Sequence, residues 1–371
     1  FYDCTMLIEL YNLSKLELTN GSYDYGNVAR YAAIIHSSMD AEPLKEVKIG
    51  NFVYIKSDDI WILKEYRGSD TKLELKDFEY EGKKITSYTI SSRAFSYSPS
   101  LKEIIIGNEV KAIGERAFED CHSLEKVSFE NNTSIEVIPE YTFAWCYALQ
   151  TVTLPSSLKD IGYYAFGSCN NLVEVYNPSE LVLSLGSDSY GSVALNAVVI
   201  HTSLDEKPLK TVTVDGYEFI TNEDDIWVLI KYTGTEEVID FKDIKYNDKA
   251  VTNIIIKRNA FSYLNNVKKV IFGDEGARVE AFAFEYCYGL EYVSFKDCSN
   301  ITFINEYTFR GCDSLNTVII SEYITYINYD AFYDCTGELI INSNHLGLFG
   351  GEFTKLTIGD SVTEIGENAF A

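Results

Sequence analysis

An Ala-Phe or Thr-Phe pair recurs along the chain at nearly fixed distance, and this restricts the fold more than any other feature. Phe95, Phe118, Phe143 and Phe166 are 23, 25 and 23 residues apart, and Phe261, Phe284, Phe309 and Phe332 repeat those three intervals. Phe1 and Phe370 are further members of the series. The pattern around them is L-x-x-V-x-(IFL)-…-(IV)-x-x-I-x-x-x-(AT)-F-x-x-C-x-x-L, complete in LQTVTLPSSLKDIGYYAFGSCNNL at 149–172. A unit this short cannot bury its own apolar face. Stacked neighbours can, so the chain must be a repeat array.

A longer period lies above the first. Cys121, Cys146 and Cys169 recur 166 residues later as Cys287, Cys312 and Cys335, and DDIW at 58–61 recurs at 224–227. IHSS at 35–38 returns as IHTS at 200–203, offset by 165. The organisation read from this is a repeat tail at 1–10, a first copy at 11–175, a second at 176–341, and the start of a third at 342–371. Each copy opens with an irregular module (11–84, 176–250) and continues in regular repeats (85–175, 251–341). FYDC at the start matches FYDC at 332–335, and ENAFA ends inside a repeat, so the expectation is a segment of a longer array.

In L-x-x-V-x-I alternate residues face inward, as in a short strand. Stacked rungs make a parallel ladder with neighbours about 4.8 Å apart. Pro155-Ser156-Ser157 ends one strand, Leu158 and Ile161 line the opposite wall, and Phe166 closes the third side. Burying each such side chain contributes roughly 1.5–3 kcal/mol. The structural ladder is therefore Phe118, Phe143, Phe166, Phe284, Phe309 and Phe332, with Cys121, Cys146, Cys169, Cys287, Cys312 and Cys335. Ser98 and Leu264 replace Cys in two rungs. A slot that accepts Leu is a packing slot, where Cys acts as a small hydrophobe.

IGERAFEDCHSLEKVSF, LPSSLKDIGYYAFGSCNNL and IGDSVTEIGENAF resemble BspA-type leucine-rich repeats, over 85–175, 251–341 and 353–371. That family occurs on surface proteins of anaerobic gut and oral bacteria and of mucosal protists. The resemblance implies a leucine-rich-repeat-like solenoid, β-rich, with short turns and helical segments, curved as a right-handed coil. It also implies an extracellular or cell-surface location and binding to host matrix proteins, host cells or other microbes. It brings no catalytic residues. For the cysteines, extracellular exposure raises the question of disulfides. Ladder side chains point in parallel and come in threes, which favours free buried thiols. Cys298 lies off the ladder and is expected to be the accessible one.

The modules at 11–84 and 176–250 lie between Phe marks 94 and 95 residues apart (Phe1 to Phe95, Phe166 to Phe261), about 70 residues more than a normal rung takes. GNVARYAAII and GSVALNAVVI carry helix-compatible apolar spacing. LKTVTV, GYEFI, DDIWVLIKYTG and EEVIDF read as strands, with a hairpin turn at Val214-Asp215-Gly216-Tyr217. These stretches are expected to continue the solenoid with a protruding elaboration, since no Gly/Ser- or Pro-rich linker separates them.

Enzyme chemistry finds little support. His36, His122, His201 and His345 form neither H-E-x-x-H nor a C-x-x-C…H zinc pattern. His36 and His201 sit beside Ser37-Ser38 and Thr202-Ser203, but nothing supplies an oxyanion hole. No phosphate-binding Gly-rich loop occurs. No cofactor is expected. Asp58-Asp59, Glu223-Asp224-Asp225 and Asp274-Glu275 leave Ca²⁺ open, although no EF-hand loop is present. The formal net charge of −25 makes nucleic acid and anionic membranes poor partners and basic protein surfaces good ones. No apolar run is long enough to span a bilayer. Sequons stand at Asn12, Asn20, Asn131, Asn132 and Asn300.

The outward x positions form the candidate binding face: Glu125, Lys126, Ser128, Gln150, Thr151, Thr153, Tyr176, Glu291, Tyr292, Ser294, Asn316 and Thr317. Tyr176 and Tyr292 offer flat amphipathic area suited to protein or glycan. The functional expectation is a non-enzymatic repeat scaffold or adhesin for host or microbial surface macromolecules. The alternative is a self-assembling fibre or surface layer.

Overall fold

The structure is a computed structural model that describes residues 7–18, 24–30, 32, 34–40, 43–57, 59–129, 131–223, 225–343, 350–360 and 362–365. Phe1, Cys4, Asn20, Asp58, Asp224, His345 and Phe370 lie outside the described residues. The chain divides into two compact units, Phe1–Glu206 and Lys207–Ala371. Each is a β-solenoid of parallel strands with almost no helix.

In the first unit one wall is a six-stranded parallel sheet. Its order is Lys72–Leu75, Glu103–Ile106, Lys126–Ser128, Thr151–Thr153, Glu174–Tyr176 and Val199–His201. The register is strict: Ile104, Val127, Val152, Val175 and Ile200 are successive partners. These are the V positions of the repeat, and the first four are buried. A second wall carries Ile60–Tyr66, Tyr88–Ile90 and Val110–Ile113 in parallel, then Val137–Ile138 beside Asp160–Ile161. Onto Ile60–Tyr66 the antiparallel strands Phe52–Ser57 and Lys45–Ile49 are added.

The second unit repeats this plan. Val238–Asp240, Lys269–Ile271, Tyr292–Ser294, Thr317–Ile320, Thr336–Ile341 and Glu352–Ile358 form the parallel wall. Trp227–Tyr232, Ile254–Ile256 and Gly276–Val279 form the other, extended by Tyr217–Thr221 and Lys210–Val214. Val214 pairs with Tyr217 across Asp215 (φ 46°) and Gly216 (φ 84°), the two left-handed residues of a tight hairpin.

Among the described residues the expected helices are absent. At the start of GNVARYAAII the helical turn is Asp24–Asn27, with Tyr25 and Gly26 at positive φ, and the segment ends in the strand Ile34–His36. Within GSVALNAVVI a 3-10 turn, Tyr190–Ser192, leads to the strand Val199–His201. Both strands extend a parallel ladder, on Glu9–Tyr11 and Glu174–Tyr176 respectively. The apolar spacing there reflects one more rung, with Val193, Ala194 and Ala197 facing the core. The stretch 176–250 is thus divided: its first rung pairs within the first unit, and its hairpin belongs to the second.

Candidate binding face

The Phe column stacks ring on ring. Phe95, Phe118, Phe143 and Phe166 have successive centroid separations of 4.7, 5.1 and 5.2 Å, near-parallel. Phe261, Phe284, Phe309 and Phe332 have 4.6, 5.3 and 5.1 Å. All eight are buried. Offset stacking adds about 0.5–1.5 kcal/mol per pair beyond area burial. Each Phe is set at a corner, with left-handed residues two positions before and after in most rungs, such as Tyr141 and Trp145 around Phe143.

Two members of this column were missed in the sequence. Tyr66 and Tyr232 stack on Phe95 and Phe261 at 5.3 and 5.2 Å. Their amides donate to Ala94 and Ala260, as Phe95 donates to Ala117. They fill the Phe slot of the hairpin rungs, and the short hairpins Phe78–Tyr80/Lys83–Ile85 and Lys245–Tyr246/Lys249–Ala250 that follow them stretch the spacing to the next Phe. A phenol needs a polar end: Tyr66 Oη donates to Asp70 Oδ2 at 2.6 Å, and burial pushes its pKa up to about 12.

The seven described cysteines are free and buried. Each ladder thiol donates to the carbonyl of the preceding rung's Phe, at 3.0–3.3 Å. Cys is therefore more than a small hydrophobe here, because it ties rung to rung. Burial raises the Cys146 and Cys312 thiols and pushes Cys169 up to about 12. Cys298, expected to be accessible, is fully buried, packed in the second unit's core beside Phe295 and Ile301.

The outward strip divides in two. Lys126, Glu291 and Asn316 are exposed, and Glu125, Gln150, Thr151, Tyr292 and Thr317 are half-buried. Ser128, Thr153, Tyr176 and Ser294 are buried, contrary to the alternation argument. Register explains it. Ile105, Ser128, Thr153, Tyr176 and His201 form one column, and short side chains lie flush between larger neighbours. Ser294 likewise lies between Ile271 and Ile319. Tyr176 is covered by the His201 ring, stacked at 4.3 Å.

His201 ends the edge strand of the first unit's wall. It is buried, with Nε2 2.9 Å from Glu174 Oε1 and Nδ1 3.0 Å from Glu206 Oε2. Both ring nitrogens meet carboxylates, which leaves none to activate a serine hydroxyl. His36 repeats half of this arrangement, stacked on Tyr11 at 4.6 Å with Nε2 2.9 Å from Glu9.

Among the described residues no group of three or more His, Cys, Asp or Glu is placed to hold a metal ion. Asp274 instead accepts from the Ser299 amide and hydroxyl. Asn132 is fully buried, its amide donating to Gly107 and Val110 carbonyls, so its sequon is inaccessible in the folded chain. Among the described residues no helix is long and apolar enough to cross a membrane.

A family model for the BspA type leucine rich repeat region matches residues 88–208 and 237–350, in six copies, more than half of the chain. The chain belongs to the BspA-type leucine-rich repeat family. Among solved structures, this leucine-rich repeat chain is similar to a leucine-rich cell surface protein of Faecalibacterium prausnitzii. The identity is 19%, covering 88% of this chain and 100% of that one, with a TM-score of 0.38. It is also similar to a leucine-rich repeat protein of Bacteroides capillosus (25%, covering 36% and 97%, TM-score 0.32). A third is the pneumococcal vaccine antigen PcpA (15%, covering 88% and 91%, TM-score 0.34). No curated protein matches the chain.

Proposed function

We propose that this leucine-rich repeat chain is a non-catalytic scaffold of a cell surface, an adhesin whose outward strand columns bind protein or glycan on host or microbial surfaces. One observation carries the reading. The buried columns satisfy one another rung to rung, whereas exposed and half-buried polar and aromatic side chains stand in register at a single repeat distance. In the first unit Lys126 is partnered with Thr151, and in the second Tyr292 with Thr317. Such a face makes many weak contacts that add through multivalency. Family membership supports the surface location.

The test is binding of the chain to arrayed host matrix proteins, glycans and fixed microbial cells, with Lys126→Glu, Tyr292→Ala and Asn316→Lys compared at unchanged far-UV circular dichroism. Reduced capture by the face variants is expected. Capture indifferent to all three variants overturns the face assignment. Filaments of the unliganded chain in electron micrographs would favour the self-assembling alternative.

A further inference from the structure

The hairpin rungs of the two units differ at one corner. In the first unit Lys56 is the strand partner of Trp61. Its ammonium stands over the Trp61 and Tyr80 rings, 5.9 and 5.7 Å from their centroids, and the two rings meet edge to face at 5.1 Å. The second unit keeps the ring pair: Trp227 and Tyr246 meet edge to face at 5.4 Å. The strand partner of Trp227, however, is Thr221. Thr221 turns inward, fully buried, with its hydroxyl 2.5 Å from the Ile226 carbonyl and 2.8 Å from the Glu223 amide.

A pocket of about 280 Å³ opens at this place, lined by Trp227, Tyr246, Glu223, Asn247, Lys249 and Val251 among others. The loop from Thr221 to Trp227 is one residue longer than that from Lys56 to Trp61, and it brings in Glu223. The Glu223 carboxylate accepts from Tyr246 Oη at 2.5 Å and pairs with Lys210 at 2.5 Å.

We propose that this pocket binds a protonated primary amine, the side chain of a lysine on a partner polypeptide, in the place that the chain's own Lys56 occupies in the first unit. The Trp and Tyr faces attract an ammonium through their quadrupoles. Glu223 supplies a carboxylate at the pocket, beside the Tyr246 hydroxyl, and Val251 offers apolar surface to the alkyl stem. Two resident cations adjoin the site. Lys210 is held on Glu223. Lys249 follows Tyr246 by three residues, as Lys83 follows Tyr80, and Lys83 coexists with Lys56 in the first unit. The net charge of −25 draws basic partners to the molecule. The pocket is read at Trp227 alone, so this inference stands or falls independently of the strand faces.

The chain has three tryptophans, Trp61, Trp145 and Trp227, whose indole N–H resonances are assignable by single Phe replacements. Titration with Nα-acetyl-lysine methylamide should shift the Trp227 resonance saturably, with a Kd of roughly 1–10 mM for one isolated contact, and leave Trp61 unmoved. Lys56→Thr should make Trp61 respond as well, and Thr221→Lys should silence Trp227. The control probe is the Nε-acetylated derivative, which is neutral. An equal response to that control overturns the proposal. So does a silent Trp227 at 50 mM probe (about five times the upper Kd), or a Trp227 response to N-acetylglucosamine alone, which would assign a glycan site instead.

Discussion

In the first unit one outward strand column runs Glu103, Lys126, Thr151, Glu174; its counterpart in the second runs Lys269, Tyr292, Thr317, Glu338. Lys72 pairs with Glu103 in one, while Lys269 stands over the Tyr292 ring in the other. Across the same rungs the Phe separations, 4.7, 5.1 and 5.2 Å against 4.6, 5.3 and 5.1 Å, agree closely, and every ladder thiol meets the same carbonyl. A close-packed interior tolerates little change in volume, whereas a solvated face tolerates much. Copies of one chain have diverged where packing let them.

The sharpest test of that agreement is to cut the same slot in both copies. Phe143→Ala and Phe309→Ala stand 166 residues apart, and each should cost about 3–5 kcal/mol by leaving a cavity between stacked rings. Denaturant unfolding monitored separately for the two units would show it. A loss in one copy and none in the other would break the equivalence.

Buried positions differ between the copies as well. Lys257 is fully buried with its ammonium 2.9 Å from Glu280. The residues 166 earlier are Ser91 and Gly114, and a Cβ on Gly114 would come within 2.3 Å of the Ser92 amide nitrogen. The first copy closes this contact with backbone, and the second opens it to an ion pair. Glu280→Ala removes the carboxylate facing a buried charge and should destabilise the second unit by about 3 kcal/mol. Replacing both partners, Lys257→Met with Glu280→Gln, should recover most of that loss. Equal stability of the single and double variants would mean that an unpaired Lys257 ammonium carries no burial cost.

Alkaline pH should weaken both units through the thiol ladder. A buried thiol such as Cys169, pushed up to about 12, keeps its proton in the folded state where an unfolded one loses it near 9. The folded state then binds more protons, so stability is full below pH 9 and falls as pH rises toward 12. The slope is about 1.4 kcal/mol per pH unit for each such thiol. Lys257 works in the opposite sense. Burial lowers its pKa, so its own contribution improves with pH up to the usual lysine range. Melting curves between pH 8 and 11 should therefore fall more steeply for Lys257→Met than for the parent. An identical pH dependence would show that Lys257 is no more desolvated than a surface lysine.

The ladder was legible because its period is short and its slots are chemically narrow: Phe143 and Cys146 announce themselves by spacing. Tyr66 and Tyr232 were not, because a short hairpin lies between each and its Phe, Phe78–Tyr80 with Lys83–Ile85 and Lys245–Tyr246 with Lys249–Ala250, and stretches the interval to 29 residues. The thiol-to-carbonyl bonds were invisible because they join residues 26 or 28 apart, a property of stacking and not of any one repeat. On the candidate face, alternation distinguishes the two sides of a lone strand. It says nothing about what the next rung lays over Ser128 or Tyr176. The apparent helices failed for a related reason. Ala29 and Ala32 are buried at a helical interval, but a tight solenoid turn buries the same positions, and Gly26 and Gly191 at positive φ select the turn.

The smallest expected effect lies on the outward columns. Lys126→Ala removes an exposed side chain with no role in the core, and Tyr292→Ala removes a half-buried ring that carries one contact with the Lys269 ammonium at 4.6 Å. The first should change stability by less than about 0.5 kcal/mol, and the second by about 0.5–1 kcal/mol. Paired denaturant curves decide it. If either variant approached the cost of Phe143→Ala, the outward columns would be structural, and the freedom by which the two copies diverged there would need another explanation. If both stay small while capture of a surface ligand falls, the divergent columns are where binding specificity resides.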